Sequence, residues 1–490
     1  MMETSPEYSQ KRSGAYFTPG DVSAALVAWV CRKRSDRLID PSCGDGQFLA
    51  FHANSVGIEQ NPISAHRAIE RAPGALVHEG DFFTWAIETR ERFECAAGNP
   101  PFIRYQTFSG ELRRRALDFC FNLGAHFSGL TSSWAPFIVA TAGLLKRGGR
   151  MAFVVPAEIG HAPYAAPLLD YLVESFSTVQ IVAIRKKLFP TLSEDCWLLY
   201  ADGFGGKANA IDLTVVDNFV PERAPPRPTM RVDLEEWRTV WNRRLRPYLL
   251  PASIRSLYAA ALADPHTHRL SDFATVGIGY VSGDNDFFHL KPSDAKRLHI
   301  PSAFLQPSLR KGRAMPDKKI TKATVDGWKR NDDPILLLRL ERDQEIPVSV
   351  KNYLNSSAGH EARQGYKCRN RAPWYAVPDV QIPDFMMSYM AGRNVNLVRN
   401  AAGISCTNSV HSVQLRNRRL ASKLLPQWSS PFVKLSCELE GHALGGGMLK
   451  LEPREAGRVV FPSIATIQKS NDDELEDAIG SLQRWRHYAD

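Results

Sequence analysis

The chain has 490 residues, 44% of them apolar and 10% aromatic, enough to bury the cores of two or more domains, which excludes global disorder. The longest apolar run, Ala24–Cys31, falls far short of the roughly 18–20 residues of a membrane span, and the N-terminus lacks the apolar segment of a secretory signal. The net charge of +9 is uneven: residues 1–205 carry 20 Lys and Arg against 21 Asp and Glu, residues 206–490 carry 41 against 31.

Such a split predicts a neutral domain joined to one that binds a polyanion. Eight scattered cysteines with no CxxC pair argue against a disulfide framework or zinc ribbon and for a reducing, cytoplasmic setting.

In chain order, short apolar runs alternate with amphipathic stretches. Leu38–Ile39, Ser55–Glu59, Cys95–Gly98, Met151–Pro156 and Val179–Ile184 read as strands; Asp21–Arg34 and Ser132–Lys146 read as helices. The alternation predicts an α/β fold, a Rossmann-like, mostly parallel sheet with helices on both faces. At FGGKANA and VPERAPPRPTM the texture changes. We expect a linker over 206–232, between a catalytic domain at 1–205 and a C-terminal α+β domain at 233–490. Asp233–Leu250 reads as helical. Residues 471–490 read as a terminal helix whose early acids and late bases suit its dipole.

The first chemical cluster is LIDPSCGDGQFL at 38–49, a strand running through Asp40, Cys43, Gly44 and Gly46 into a helix. Glycines in such a turn let the backbone approach a ligand closely; Leu49 stands where a dinucleotide fingerprint has its third glycine. Glu59 ends the next strand, where a carboxylate can accept both hydroxyls of a ribose. Asp81 follows one interval later, placed to accept from an adenine amino group, with Phe82 beside it to flank the ring. Three points at regular βα spacing describe an adenosyl pocket.

Asn99-Pro100-Pro101-Phe102 is the most specific feature. The double proline stiffens the turn at a strand's carboxyl end, where open α/β sheets place ligands. The Asn99 amide oxygen and the Pro100 carbonyl can accept from one amino group, and Phe102 offers a face to a planar ring. An amino group conjugated to a ring is a poor nucleophile; two fixed acceptors draw it toward tetrahedral geometry and favour the transition state.

With these residues the chain resembles the gamma-class, TaqI-like DNA adenine-N6 methyltransferases, over residues 14 to about 200. GAYFTP at 14–19 is similar to the element that borders the methionine part of S-adenosylmethionine, which implies roles for Tyr16, Thr18 and Pro19. Thr18 also reads as a helix N-cap, with Pro19 at the first helical position and Asp21 completing a capping box. The resemblance puts the glycine loop on DPSCGDGQF, the ribose acid on Glu59, the adenine contacts on Asp81 and Phe82, and catalysis on Asn99 to Phe102. It implies a second stacking residue at Phe189, on the far face of an adenine rotated out of duplex DNA. The tetrapeptide ends in Phe rather than Tyr, which keeps ribosomal RNA bases and protein glutamine in view as alternative substrates. No nuclease metal site is expected, since Pro316-Asp317 lacks an acidic-x-Lys partner. Restriction, if any, would fall to a separately encoded endonuclease.

The basic second half reads as a target-recognition domain, with VGIGYVSGDNDFF (276–288), YKCRNRAPWYAVP (366–378) and GISCTNSVHSV (403–413) as its framework. Candidates for contact with double-stranded DNA are Arg310, Lys311, Arg313, Arg369, Arg371, Trp374, Arg416 and Arg418.

Overall fold

A computed structural model describes residues 18–103, 106–189, 194–444 and 446–488. The chain forms two compact units, Met1–Leu250 and Pro251–Asp490.

The first unit opens with helix α1 (Gly20–Val30), then β1 (Leu38–Asp40), β2 (Ser55–Glu59), α2 (Pro62–Arg71), β3 (Leu76–Glu79), α3 (Phe82–Glu88) and β4 (Phe93–Gly98). It continues through α4 (Gly110–Asn122), α5 (Trp134–Ala142), β5 (Leu145–Pro156), α6 (Ala165–Ser175), β6 (Phe176–Ile184) and β7 (Cys196–Phe204). These strands and β8 (Ala210–Val216) and β9 (Met230–Asp233) build one sheet in the order β3-β2-β1-β4-β5-β7-β6-β8-β9. From β3 to β5 every pairing is parallel; β7 runs antiparallel to both its neighbours. The mostly parallel α/β expectation holds.

Helices pack on the sheet because their apolar residues recur at helical spacing. Val22, Leu26, Val27 and Val30 of α1 share a core with Leu38, Ala97, Ala152 and Val154 of the sheet. Strand order reverses between β1 and β4, so their carboxyl ends flank the crevice where doubly wound sheets bind ligands.

Four expectations are corrected. The helix read over Ser132–Lys146 spans Trp134–Ala142, and Leu145 and Lys146 already belong to β5. The α1 helix ends at Val30 rather than Arg34, because Asp36 draws the N–H groups of Arg32 and Lys33 (2.7 and 2.9 Å) into a turn. Segment 206–232 carries β8 and β9, where Ile211, Leu213 and Val232 are buried; the prolines lie in the loop between these strands. Asp233–Leu250 breaks after Thr239, where Asn242 and Arg243 take φ of 50° and 59°, outside the helical region.

The second unit is a mixture of helices and short strands, as expected of an α+β domain. Its five-stranded sheet runs Ala274–Ile278, Val410–Leu415, Phe385–Ser388, Leu397–Asn400 and Lys319–Ile320 in spatial order. The terminal helix, Asp472–Trp485, has Asp472, Asp473 and Glu474 in its first turn and Arg484 in its last. Beyond it the fully buried Arg486 pairs with Glu438 at 2.7 Å. Among the described residues no helix is long and apolar enough to cross a membrane.

Candidate active site

The loop after β1 is shaped by its glycines. Gly46 has φ +83°, and a Cβ there would lie 2.8 Å from the Ala68 Cα of α2, so only glycine fits. A Cβ on Gly44 (φ +55°) would meet nothing within 4 Å among the described residues, which leave open space beside the loop. The Gly44 N–H donates to Glu59 Oε2 at 3.0 Å and the Asn61 N–H to Oε1 at 2.7 Å, so Glu59 is locked at the end of β2. Each carboxylate oxygen keeps a second lone pair for a further donor.

Asp40 closes β1 with its side chain almost wholly buried. Oδ1 accepts from the Ser42 N–H at 3.1 Å, while Oδ2 has no hydrogen-bond partner among the described residues. Burial pushes this carboxyl up to about 8; the Ser42 N–H bond opposes the rise, and repulsion from the Glu59 carboxylate adds to it. Burial also pushes the Cys43 thiol far up, and Cys43 packs among Leu49, Ala68 and Ala72. It is a small core residue rather than a nucleophile.

At the end of β4, Asn99 Nδ2 donates to Thr18 Oγ1 at 3.2 Å and the Asn99 carbonyl accepts from Ser42 Oγ at 3.2 Å. Gly98 is required just before it, since a Cβ would sit 2.7 Å from Asp40 Oδ1. Thr18, Asp40, Ser42 and Asn99 therefore converge. The expected N-cap role of Thr18 is corrected: the cap position falls on Pro19, without a side-chain bond, and the helix starts at Gly20. Asp21 accepts from the adjacent Val22 N–H instead of completing a capping box.

Asp81 caps α3 through the Thr84 N–H at 2.7 Å. Phe82 behind it is buried and stacks on Phe137, with centroids 5.1 Å apart. Pro100 is buried; Phe102 is half-buried against the apolar cluster that also contains Phe189. Phe189 is itself only 6% exposed. Tyr16 lies outside the described residues. Ser42 escaped the sequence reading, and so did Ser133, which bonds to residues on either side of Phe102.

In the second unit the DNA-contact candidates divide. Arg371 donates to the carbonyls of Ser282 and Val281 at 2.8 and 2.9 Å, and Trp374 packs among Phe287, Phe288 and Tyr375. Arg310 is tied to Asp286, Arg418 to Asp384 at 2.7 Å, and Arg416 to the carbonyls of Ser271 and Ala274. Lys311, Arg313 and Arg369 are exposed.

A glycine loop at the switch point, acids at successive strand ends and Asn-Pro-Pro-Phe beside them define a methyltransferase directed at an amino group. Comparison with known proteins carries this to a family. A model described as the C-terminal domain of the Type II methyltransferase M.Eco57I matches residues 242–488, half of the chain. One described as Eco57I restriction-modification methylase matches 52–189, and one described as N-6 DNA methylase matches 1–69. Type II methyltransferase M.AccI of Acinetobacter calcoaceticus is 19% identical, over 95% of this chain and 88% of that protein. For M.XamI of Xanthomonas campestris pv. amaranthicola the figures are 22%, 93% and 86%. Among solved structures, the type IIG restriction endonuclease BpuSI aligns with TM-score 0.43 and 16% identity, over 97% of this chain and 62% of its own. The chain belongs to the M.Eco57I family of Type II methyltransferases. It is a DNA adenine-N6 methyltransferase of the restriction-modification kind, and the ribosomal RNA and protein glutamine readings are not favoured.

Proposed function

We propose that the chain methylates adenine at one short duplex motif, with S-adenosylmethionine held along the carboxyl edge of the sheet and the target base held by Asn99, Pro100 and Phe102. The observation that carries this is the convergence of Thr18, Asp40, Ser42 and Asn99 on the switch point.

The residues suit the cofactor. Gly44 faces open space among the described residues, Glu59 and Asp81 offer carboxylates to a ribose and an adenine amino group, and Asp40 offers a buried carboxyl oxygen to a cationic ligand. Thr18, Pro19, Cys43 and Gly46 complete the cradle. When bound, S-adenosylmethionine supplies a methyl group made electrophilic by its sulfonium charge. The chain's own residues supply position: Asn99 and the Pro100 carbonyl accept from the adenine amino group and hold its lone pair out of conjugation. Phe102 takes one face of the base, and Phe189, from the apolar cluster beside it, is the ring assigned to the other. Lys311, Arg313 and Arg369 contact phosphates, and a separately encoded endonuclease reads the same motif.

The test is expression in a host lacking adenine methylation, followed by single-molecule mapping of N6-methyladenine, with Asn99→Ala as control. Marks at one motif, lost in the variant, support the reading. An unmarked genome in cells holding folded protein overturns it.

A further inference from the structure

The tetrapeptide has few donors with which to tether itself, because Pro100 and Pro101 carry no N–H. Its tether comes from α5. Ser133 is fully buried at the N-cap of that helix. At this position a serine hydroxyl ordinarily accepts from a free N–H in the helix's own first turn; Ser133 makes no such bond. Its hydroxyl instead accepts from the Ile103 N–H at 3.0 Å and donates to the Pro101 carbonyl. Its own N–H donates to the Ile103 carbonyl at 3.0 Å. Three bonds from one residue thus bracket Phe102.

That residue stands on a fixed footing. Trp134, the next residue, is fully buried, and its Nε1 donates to the Tyr164 hydroxyl at 3.1 Å. The Tyr164 hydroxyl in turn donates to Glu158, just beyond β5. Sliding the first turn of α5 would break this chain of bonds, so residues 101 and 103 are referenced to the sheet.

We propose that Ser133 is the positioning residue that sets the Phe102 ring, and through it the stacking of the target adenine. This rests on the reading of Phe102 given above. A ring free to swing would still admit the base, but fewer bound bases would sit in line for transfer, so the loss belongs in the rate and not in cofactor binding.

The experiment compares single-turnover methylation of unmethylated plasmid DNA by full-length Ser133→Ala, Ser133→Thr, Phe102→Ala, Asn99→Ala and the Ser133→Ala/Phe102→Ala double variant, alongside S-adenosylmethionine titration. Ser133→Ala should bind S-adenosylmethionine within about twofold of the parent and transfer about 10- to 100-fold more slowly. Ser133→Thr, which keeps the hydroxyl, should recover most of the rate. In the Phe102→Ala background the same Ser133→Ala change should cost less than about threefold, because its route of action is gone. A Ser133→Ala rate within twofold of the parent, a parallel loss of S-adenosylmethionine binding, or full additivity with Phe102→Ala overturns the inference. Transfer that survives in Asn99→Ala sinks the underlying reading of the tetrapeptide instead.

Discussion

Asn99 Nδ2 donates to Thr18 Oγ1 at 3.2 Å, a contact between residues 81 positions apart that holds the amide nitrogen on the Thr18 side. An amide that accepts from an amino group must present oxygen, and the bond to Thr18 turns nitrogen aside. Thr18→Val keeps the shape and removes the acceptor. Transfer should slow about fivefold to tenfold, the worth of one hydrogen bond of about 1 kcal/mol. Thr18→Ser should keep the parent rate. Equal single-turnover rates for the Val and Ser variants would show that the amide is oriented by other means.

The buried Asp40 carboxyl, raised by burial and then by Glu59 to about 8, makes stability depend on pH in an unusual direction. In the unfolded chain it ionises near its ordinary value of about 4. Between about pH 4 and 8 the unfolded state has lost this proton while the folded state keeps it, so stability falls as pH rises through that window and levels off above it. Asp40→Asn removes the ionisation and keeps an oxygen for the Ser42 N–H. Its melting temperature relative to the parent should therefore climb from pH 4.5 to pH 8.5. Parallel melting curves at both pH values would place the Asp40 proton elsewhere.

Asp40, Glu59 and Asn99 are readable in the sequence because each ends an apolar run, and the strand ends of a parallel sheet gather at one edge. Ser133 is not, since its partners Pro101 and Ile103 lie about thirty residues back and a serine before an apolar helix looks like an ordinary cap. The β8 and β9 strands hide behind the prolines between them. Arg371 has the look of a phosphate contact until the carbonyls of Val281 and Ser282, some ninety residues away, are seen to hold it. Phe82 follows an acid at a strand end, a pattern that a pocket wall and a core residue share; in the fold it is buried and stacks on Phe137.

Gly46→Ala tests the loop after β1. The new methyl would lie 2.8 Å from the Ala68 Cα, and the residue would be held at φ +83°. Backbone atoms cannot rotate aside, so the loop must lift from α2. The combined overpacking and strain should cost about 1–3 kcal/mol of stability and weaken S-adenosylmethionine binding by more than about tenfold. Calorimetric titration alongside thermal melting checks both; unchanged affinity would mean that the loop does not hold the cofactor.

Salt dependence separates the basic residues of the second unit. Each phosphate contact steepens the fall of affinity with salt by about one unit in the logarithmic slope. Lys311 and Arg313 are exposed, so Lys311→Ala and Arg313→Ala should each reduce that slope by about one and leave the melting temperature unchanged. Arg371 spends its guanidinium on the carbonyls of Val281 and Ser282. Losing it strands two acceptors in a half-buried site, so Arg371→Ala should cost about 1–3 kcal/mol of stability and leave the slope alone. DNA-binding titrations at several salt concentrations, read beside melting curves, distinguish the two kinds of residue. A slope that falls in Arg371→Ala at unchanged stability would return Arg371 to the DNA interface.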